Sequence, residues 1–219
     1  MVLRSGLLWL SGRDEISKFL RRNRLARSAA SRFVAGETPE EAVAVVRSLD
    51  ARGLTVTLDL LGESITEAAE AVRARDQIIQ LLGCIATTGI DGHVSLKLTQ
   101  LGLDVDDDLC RSNMEAILDR AGQRGTFVRI DMEGSAYTDR TLRLFRDHLH
   151  PRYGDRVGVV LQTCLRRTEA DLENMLEIGA RVRLVKGAYA EPPAIAFEKK
   201  QQVDAAFRRM TERLLTSGR

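Results

Sequence analysis

The chain has 219 residues, with 33 Lys and Arg against 31 Asp and Glu, a formal net charge of +2. At 44% hydrophobic and 29% charged, with 17 Gly and 4 Pro, its composition is that of a folded globular protein; a collagenous, low-complexity or disordered chain is excluded. The balanced charge also excludes a dedicated nucleic-acid binder, which carries a strong basic excess on one face.

Residues 1–52 read as a helical arm with no strand. Ile16, Phe19 and Leu20 recur at helical spacing, as do Val43, Val46 and Leu49. Thr38-Pro39-Glu40-Glu41 has the form of a helix start: Thr as N-cap, Pro at the first helical position, acids in the first turn. Basic residues dominate Arg4 to Arg32, where Asp14 and Glu15 are the only acids. A solvated helix face is the first reading of that arm. Peripheral contact with the anionic inner face of a membrane is the second. Leu7-Leu8-Trp9-Leu10 is too short for a signal core or a membrane span. Trp9 reads as a packing anchor. Cys84, Cys110 and Cys164 are widely spaced with no C-x-x-C, so neither a disulfide framework nor a zinc knuckle follows, and a reducing cytoplasm is the expected setting.

Residues 53–219 have a different texture. β-rich runs follow glycines or short turns at 55–62, 93–98, 126–131, 157–162 and 181–186. Amphipathic stretches separate them: Glu67 to Leu82, Asp106 to Ala121, Thr138 to His148 and Glu169 to Ile178, with a last one from Lys199 to Leu215. Strands alternating with helices predict a parallel sheet of βα units. A dinucleotide-binding open sheet would carry G-x-G-x-x-G after its first strand, where Leu61-Gly62-Glu63-Ser64 stands instead. A (β/α)8 barrel collects polar residues where its strands end. This sequence does so five times, at Asp59 and Glu63, Lys97, Asp131 and Glu133, Gln162, then Arg183 and Lys186. The fold class is therefore α/β: a partial (β/α)8 TIM-like barrel of about five units, preceded by the helical arm. A repeat of about 32 residues leaves 37 after Val182, whereas a closed barrel needs roughly 95 more. The expectation is that the last three units are missing, which would leave the chain by itself poorly soluble and almost inactive.

Charged residues within apolar strands are the informative anomaly, because burying them unpaired is costly. Their recurrence on consecutive strands at similar depth points to one shared site. Lys97 and Asp131, on neighbouring strands, are expected to pair and offset each other's burial. Arg183 offers a fixed fork of donors for a planar acceptor or an anion. His93 reads as a surface or turn residue, and His148 and His150 lie in a polar helix end. No His/Asp/Glu spacing suggests a metal, and no serine has a base or a G-x-S-x-G context. Cys164 reads as a small buried hydrophobe.

At these residues the sequence resembles the proline dehydrogenase family, in its monofunctional bacterial form. The matching segments run in order: Arg32 to Glu37, Thr57 to Glu63, Val94 to Gly102, Val128 to Glu133, Val157 to Gln162 and Val182 to Tyr189. The resemblance implies a distorted (β/α)8 barrel that binds FAD and oxidises L-proline to Δ1-pyrroline-5-carboxylate, in proline catabolism towards glutamate. Hydride goes to flavin N5, and electrons then pass to a quinone. It implies Arg183 at flavin N5, Gln162 on the isoalloxazine edge, and Lys186, Gly187 and Ala188 of the same block along the cofactor. Lys97 and Asp131 would face the substrate, with Lys97 near its carboxylate, and Tyr189 would pack on the proline ring. Glu63 would gate the site by pairing with an arginine of the family's final helix. That helix, with its Tyr-x-x-Arg-Arg motif, and the strand with Thr-His-Asp have no counterpart in this sequence. Two other readings stand beside this one: a Schiff-base lyase with Lys97 or Lys186 as nucleophile, and a non-catalytic fragment that associates through open sheet edges.

Overall fold

The computed structural model describes residues 34–36, 38–89 and 92–217. The basic arm, Trp9 and the helix expected around Ile16 to Leu20 lie outside these residues. The chain divides into two compact units, one up to Leu54 and the other from Thr55. In the first, α1 (Pro39–Asp50) begins as its sequence dictates: Thr38 caps it, its Oγ1 accepting from the Glu41 amide at 3.3 Å.

The second unit is built on five parallel strands in sequential order: β1 (Val56–Asp59), β2 (Gly92–Leu96), β3 (Val128–Ile130), β4 (Val157–Gln162) and β5 (Arg181–Val185). The helices between them are α2 (Ala68–Thr88), α3 (Asp107–Arg124), α4 (Ser135–Leu144), α5 (His150–Tyr153) and α6 (Thr168–Glu177), and α7 (Lys200–Thr216) follows β5. Strand sides alternate, so the register sorts the sheet into two chemically distinct faces. One carries Val94, Leu96, Val128, Ile130, Val157, Val159 and Leu161, all fully or almost fully buried in the hydrophobic core with the helices. The other carries Thr57 and Asp59, then Ser95 and Lys97, Arg129 and Asp131, Val160 and Gln162, and Arg181 and Arg183. This second face is the concave, polar one, and β1 and β5 are the two edges of the sheet among the described residues.

Two helices depart from the sequence reading. α2 passes through Gly83 to Thr88 because Ile85, beyond the glycine, is still a core residue; it stops at Gly89, which takes φ 67°. α4 starts three residues before Thr138, at Ser135, and continues through a wide turn at Phe145–Leu149 into α5. His93 stands at the start of β2, where its run places it, but is half-buried rather than at the surface, its ring 5.2 Å from that of Phe127.

Candidate active site

The C-terminal ends of the strands and the loops that follow them meet on the polar face. Lys97 leaves β2 with its Nζ 3.4 Å from Asp59 Oδ2, the two side chains only 19% and 28% exposed. The expected Lys97–Asp131 pair is thus replaced by Lys97–Asp59. The register explains the change: Asp59 lies opposite Ser95, so the long Lys97 side chain, one pleat further on, reaches back to β1. Burial raises the Asp59 carboxyl above its usual range; Lys97 opposes the rise, while Asp131 and Glu63 add to it. Asp131, anchored by its own amide donating to Leu96 O at 2.8 Å, makes no side-chain hydrogen bond or ion pair among the described residues.

Beneath this acid–base group lies Glu133, 3% exposed. Its two carboxylate oxygens accept from the Thr99 amide (3.2 Å) and the Thr99 hydroxyl (2.5 Å). Burial pushes its pKa up, Thr99 opposes through both hydrogen bonds, and Glu63 adds to the rise. The Glu133 carbonyl accepts from Gln162 Nε2 at 2.9 Å, which fixes the orientation of this buried amide. Its Oε1 accepts no hydrogen bond among the described residues and faces Gly187.

Arg183 spans the concavity from β5 to β1, its Nη2 donating to Thr57 Oγ1 at 3.3 Å. Below it Arg181 and Arg129 stack on the Phe127 ring, with their guanidinium carbons 4.1 and 4.9 Å from its centroid. Burial, and then repulsion from Arg183 and Arg181, hold Arg129 down at about 10.

After β5 the chain turns at Gly187, which has φ 100°; a side chain there would strike the Cys164 sulfur. The segment beyond is tied down twice. The Phe197 amide donates to Cys164 O (2.8 Å) and the Arg166 amide to Ile195 O (2.9 Å). Glu191 accepts from the Ser135 amide (2.8 Å) and hydroxyl (2.5 Å), capping α4 from 56 residues away. Tyr189 is thereby held over the polar face. Burial first, and then the carboxylates of Glu63, Glu133, Asp131 and Glu191, push its phenol up to about 12. Lys186 alternates to the other side, with its Nζ 2.6 Å from Asp204 of α7. Ala188 follows Gly187 in the exposed turn, and Glu63 is exposed in the β1–α2 loop.

The structure therefore gathers Lys97, Asp131, Gln162, Arg183, Tyr189 and Glu63 around one concavity and turns Lys186 towards α7. Three contributors escaped the sequence reading: Thr99, Arg129 and Glu191, while Asp59, marked there as a polar strand end, gains its role as the partner of Lys97. Arg129, a charge between Val128 and Ile130, carried the same signal as Lys97. The roles of Thr99 and Glu191 rest on contacts 34 and 56 residues apart, for which the sequence has no signal. Both candidate lysines are ion-paired, Lys97 with Asp59 and Lys186 with Asp204. Among the described residues there is no cluster of metal-ligating side chains, and no helix is long and apolar enough to cross a membrane.

The family model "Proline dehydrogenase" matches residues 42–219. The chain belongs to the proline dehydrogenase family. Among curated relatives of the monofunctional bacterial type, it is 37% identical to proline dehydrogenase 2 of Bacillus subtilis (strain 168) over 218 residues, covering all of this chain and 71% of the relative. It is 34% identical to the proline dehydrogenase of Deinococcus radiodurans, over 98% of this chain and 70% of the relative. Among solved structures, proline utilization A from Bdellovibrio bacteriovorus, inactivated by N-propargylglycine, superposes with a TM-score of 0.81 at 23% identity, over 88% of this chain. This chain spans 24% of that longer protein. A likeness at such low identity reports the fold: α/β, of the TIM-like barrel type, with the five-stranded sheet open.

Proposed function

We propose that the protein oxidises L-proline to Δ1-pyrroline-5-carboxylate with FAD as the hydride acceptor and a quinone as the final electron acceptor. The observation that carries this reading is the convergence of Lys97, Asp131, Gln162, Arg183 and Tyr189 on one polar concavity in a member of this family. Those residues fit a flavin. Gln162 is fixed by its NH2 and keeps Oε1 open, Gly187 leaves the approach to it clear, and Arg183 supplies a cation with donors beyond the one used on Thr57. Gln162, Arg183, Gly187 and Ala188 would hold the cofactor, and Lys186 would brace the same strand from its far side through Asp204. When bound, a flavin supplies a two-electron acceptor, which a nearby cation makes easier to reduce.

The chain's own groups do the rest. Lys97 offers an ammonium to the substrate carboxylate, with Asp59 holding it in place. Asp131, free of other partners, faces the secondary amine. Tyr189 remains a neutral phenol at physiological pH and offers its ring face to the pyrrolidine. Glu63, on the exposed β1–α2 loop, gates entry. Peripheral membrane contact through the basic arm would bring the site to a lipid-soluble quinone, in a cytoplasmic protein. The test is direct: after reconstitution with FAD, the protein should show flavin absorbance that L-proline bleaches and a soluble quinone restores. A protein that retains no flavin, or a bound flavin that proline leaves oxidised, would overturn the reading.

A further inference from the structure

Ser64 follows Glu63 and has φ 58°, which makes it the one non-glycine residue with positive φ among the described residues. A side chain disfavours that left-handed backbone, so the surroundings must impose it. They do so through Thr99. The Ser64 amide donates to Thr99 Oγ1 at 3.0 Å, and the Ile65 amide donates to Thr99 O at 3.2 Å. A third tie comes from the next residue, where Gln100 Nε2 donates to Leu60 O at 2.9 Å.

The Thr99 hydroxyl has one proton. It can accept from Ser64 in a fixed direction only if that proton is engaged elsewhere. Glu133 engages it: one carboxylate oxygen takes the hydroxyl proton at 2.5 Å and the other takes the Thr99 amide at 3.2 Å. Glu133 is almost wholly buried, and both of its oxygens are committed to Thr99. Burying a carboxylate is costly, so its placement under a loop of exposed residues calls for a purpose there.

We propose that Glu133 and Thr99 are positioning residues for the loop that carries Glu63. The buried carboxylate orients the Thr99 hydroxyl, whose lone pair then holds Ser64 in its left-handed conformation and aims Glu63 at the concavity. The consequence for substrate entry rests on the proposed function, whereas the loop geometry does not.

Amide hydrogen exchange on the full chain reads the loop directly. Thr99→Val keeps the shape and removes both the acceptor and the donor. It should speed exchange across residues 60–67 at least tenfold and leave peptides from β2 to β4 unchanged. Thr99→Ser should hold exchange within about twofold of the parent. Should Thr99→Val fail to fold, Glu133→Gln serves: its NH2 competes with the Ser64 amide for the Thr99 oxygen, and faster loop exchange is again expected. Loop exchange at the parent rate in either folded variant overturns the proposal. In turnover assays, Thr99→Val and Glu63→Gln should each raise the proline KM, and the double variant should raise it no further; additive effects would overturn the link to Glu63. A parent protein that does not use proline sinks the proposed function alone, because the exchange experiment still decides the loop.

Discussion

Arg183 Nη2 donates to Thr57 Oγ1 at 3.3 Å although their strands, β5 and β1, are the two edges of a five-stranded sheet. A flat sheet of that width would place them about 19 Å apart at the usual strand spacing. The contact therefore records strong curvature, and it shows which way the sheet curls: towards the face of Asp59, Lys97, Asp131 and Gln162. One hydrogen bond thus defines both the concavity and its most prominent cation.

Arg183→Met should lower the reduction potential of bound flavin and slow its reduction by proline. Loss of one hydrogen bond from a charged donor, worth about 1.5–3 kcal/mol, corresponds to roughly 30–60 mV in a two-electron couple. A spectroelectrochemical titration measures it. An unchanged potential would remove Arg183 from the cofactor site.

Lys97→Met should leave Asp59 facing Asp131 and Glu63 without its cation. Asp59 already titrates above its usual 3.8, and an acid raised on folding costs stability in its ionised form. That cost is absent below the unfolded value and grows as pH rises through the folded one. The deficit of the variant should therefore be small near about pH 4 and reach about 1–3 kcal/mol near about pH 7, between the values for exposed and buried pairs. Urea unfolding at both pH values checks this. An equal deficit at the two would mean that the Lys97 stem matters for packing and its charge does not.

Much of this arrangement was legible in the sequence, and the reason is periodicity. The five strands and their polar ends follow from glycine-bounded β-rich runs, and the alternation in Val-Arg-Ile-Asp and Arg-Val-Arg-Leu-Val shows which residues share a face. Register was not legible: nothing in the sequence says that Asp59 aligns with Ser95, so the pattern points Lys97 to Asp131 whereas its partner is Asp59. Helix ends set by distant groups were hidden in the same way. α4 starts at Ser135 because Glu191 caps it, and α2 crosses Gly83 because the core extends beyond it.

Arg129→Met should stabilise the protein. The guanidinium is held down at about 10 by burial and then by its two arginine neighbours, with Asp131 offering partial relief. A base lowered on folding destabilises the fold while charged, so the penalty is full at neutral pH and fades as pH rises through about 10. Met keeps the stem against Phe127 and removes the charge. Each ~1 kcal/mol relieved should raise Tm by about 2–4 °C, and added salt should narrow the gap between variant and parent. A lower Tm would show that the stacking on Phe127 outweighs the repulsion.

Glu191→Ala should cost about 0.5–2 kcal/mol, the value of a helix N-cap, and should free the segment that carries Tyr189. Glu191→Gln keeps one acceptor and should recover most of that loss. If Tyr189 packs on the substrate ring, the Ala variant should also raise the proline KM more than it lowers kcat. Thermal unfolding and steady-state kinetics separate the two effects; a stability loss with KM unchanged would confine Glu191 to a capping role.

Gly187→Ala tests the turn that links β5 to Tyr189. Two obstacles meet there: φ of 100° is strained for any side chain, and the new methyl would strike Cys164. The expected cost is about 1–3 kcal/mol from the backbone alone, with a further share from the clash. Cys164→Ala removes the sulfur and leaves φ untouched, so the double variant should recover the clash share only. Such partial non-additivity is the signature of two residues in contact. Flavin retention should follow the same order, lowest in Gly187→Ala and partly restored in the double variant, because Gln162 Oε1 faces the same glycine. Strict additivity of the stability changes would mean that the turn relaxes away from Cys164, and that the space beside Gln162 is set by the backbone conformation of Gly187 alone.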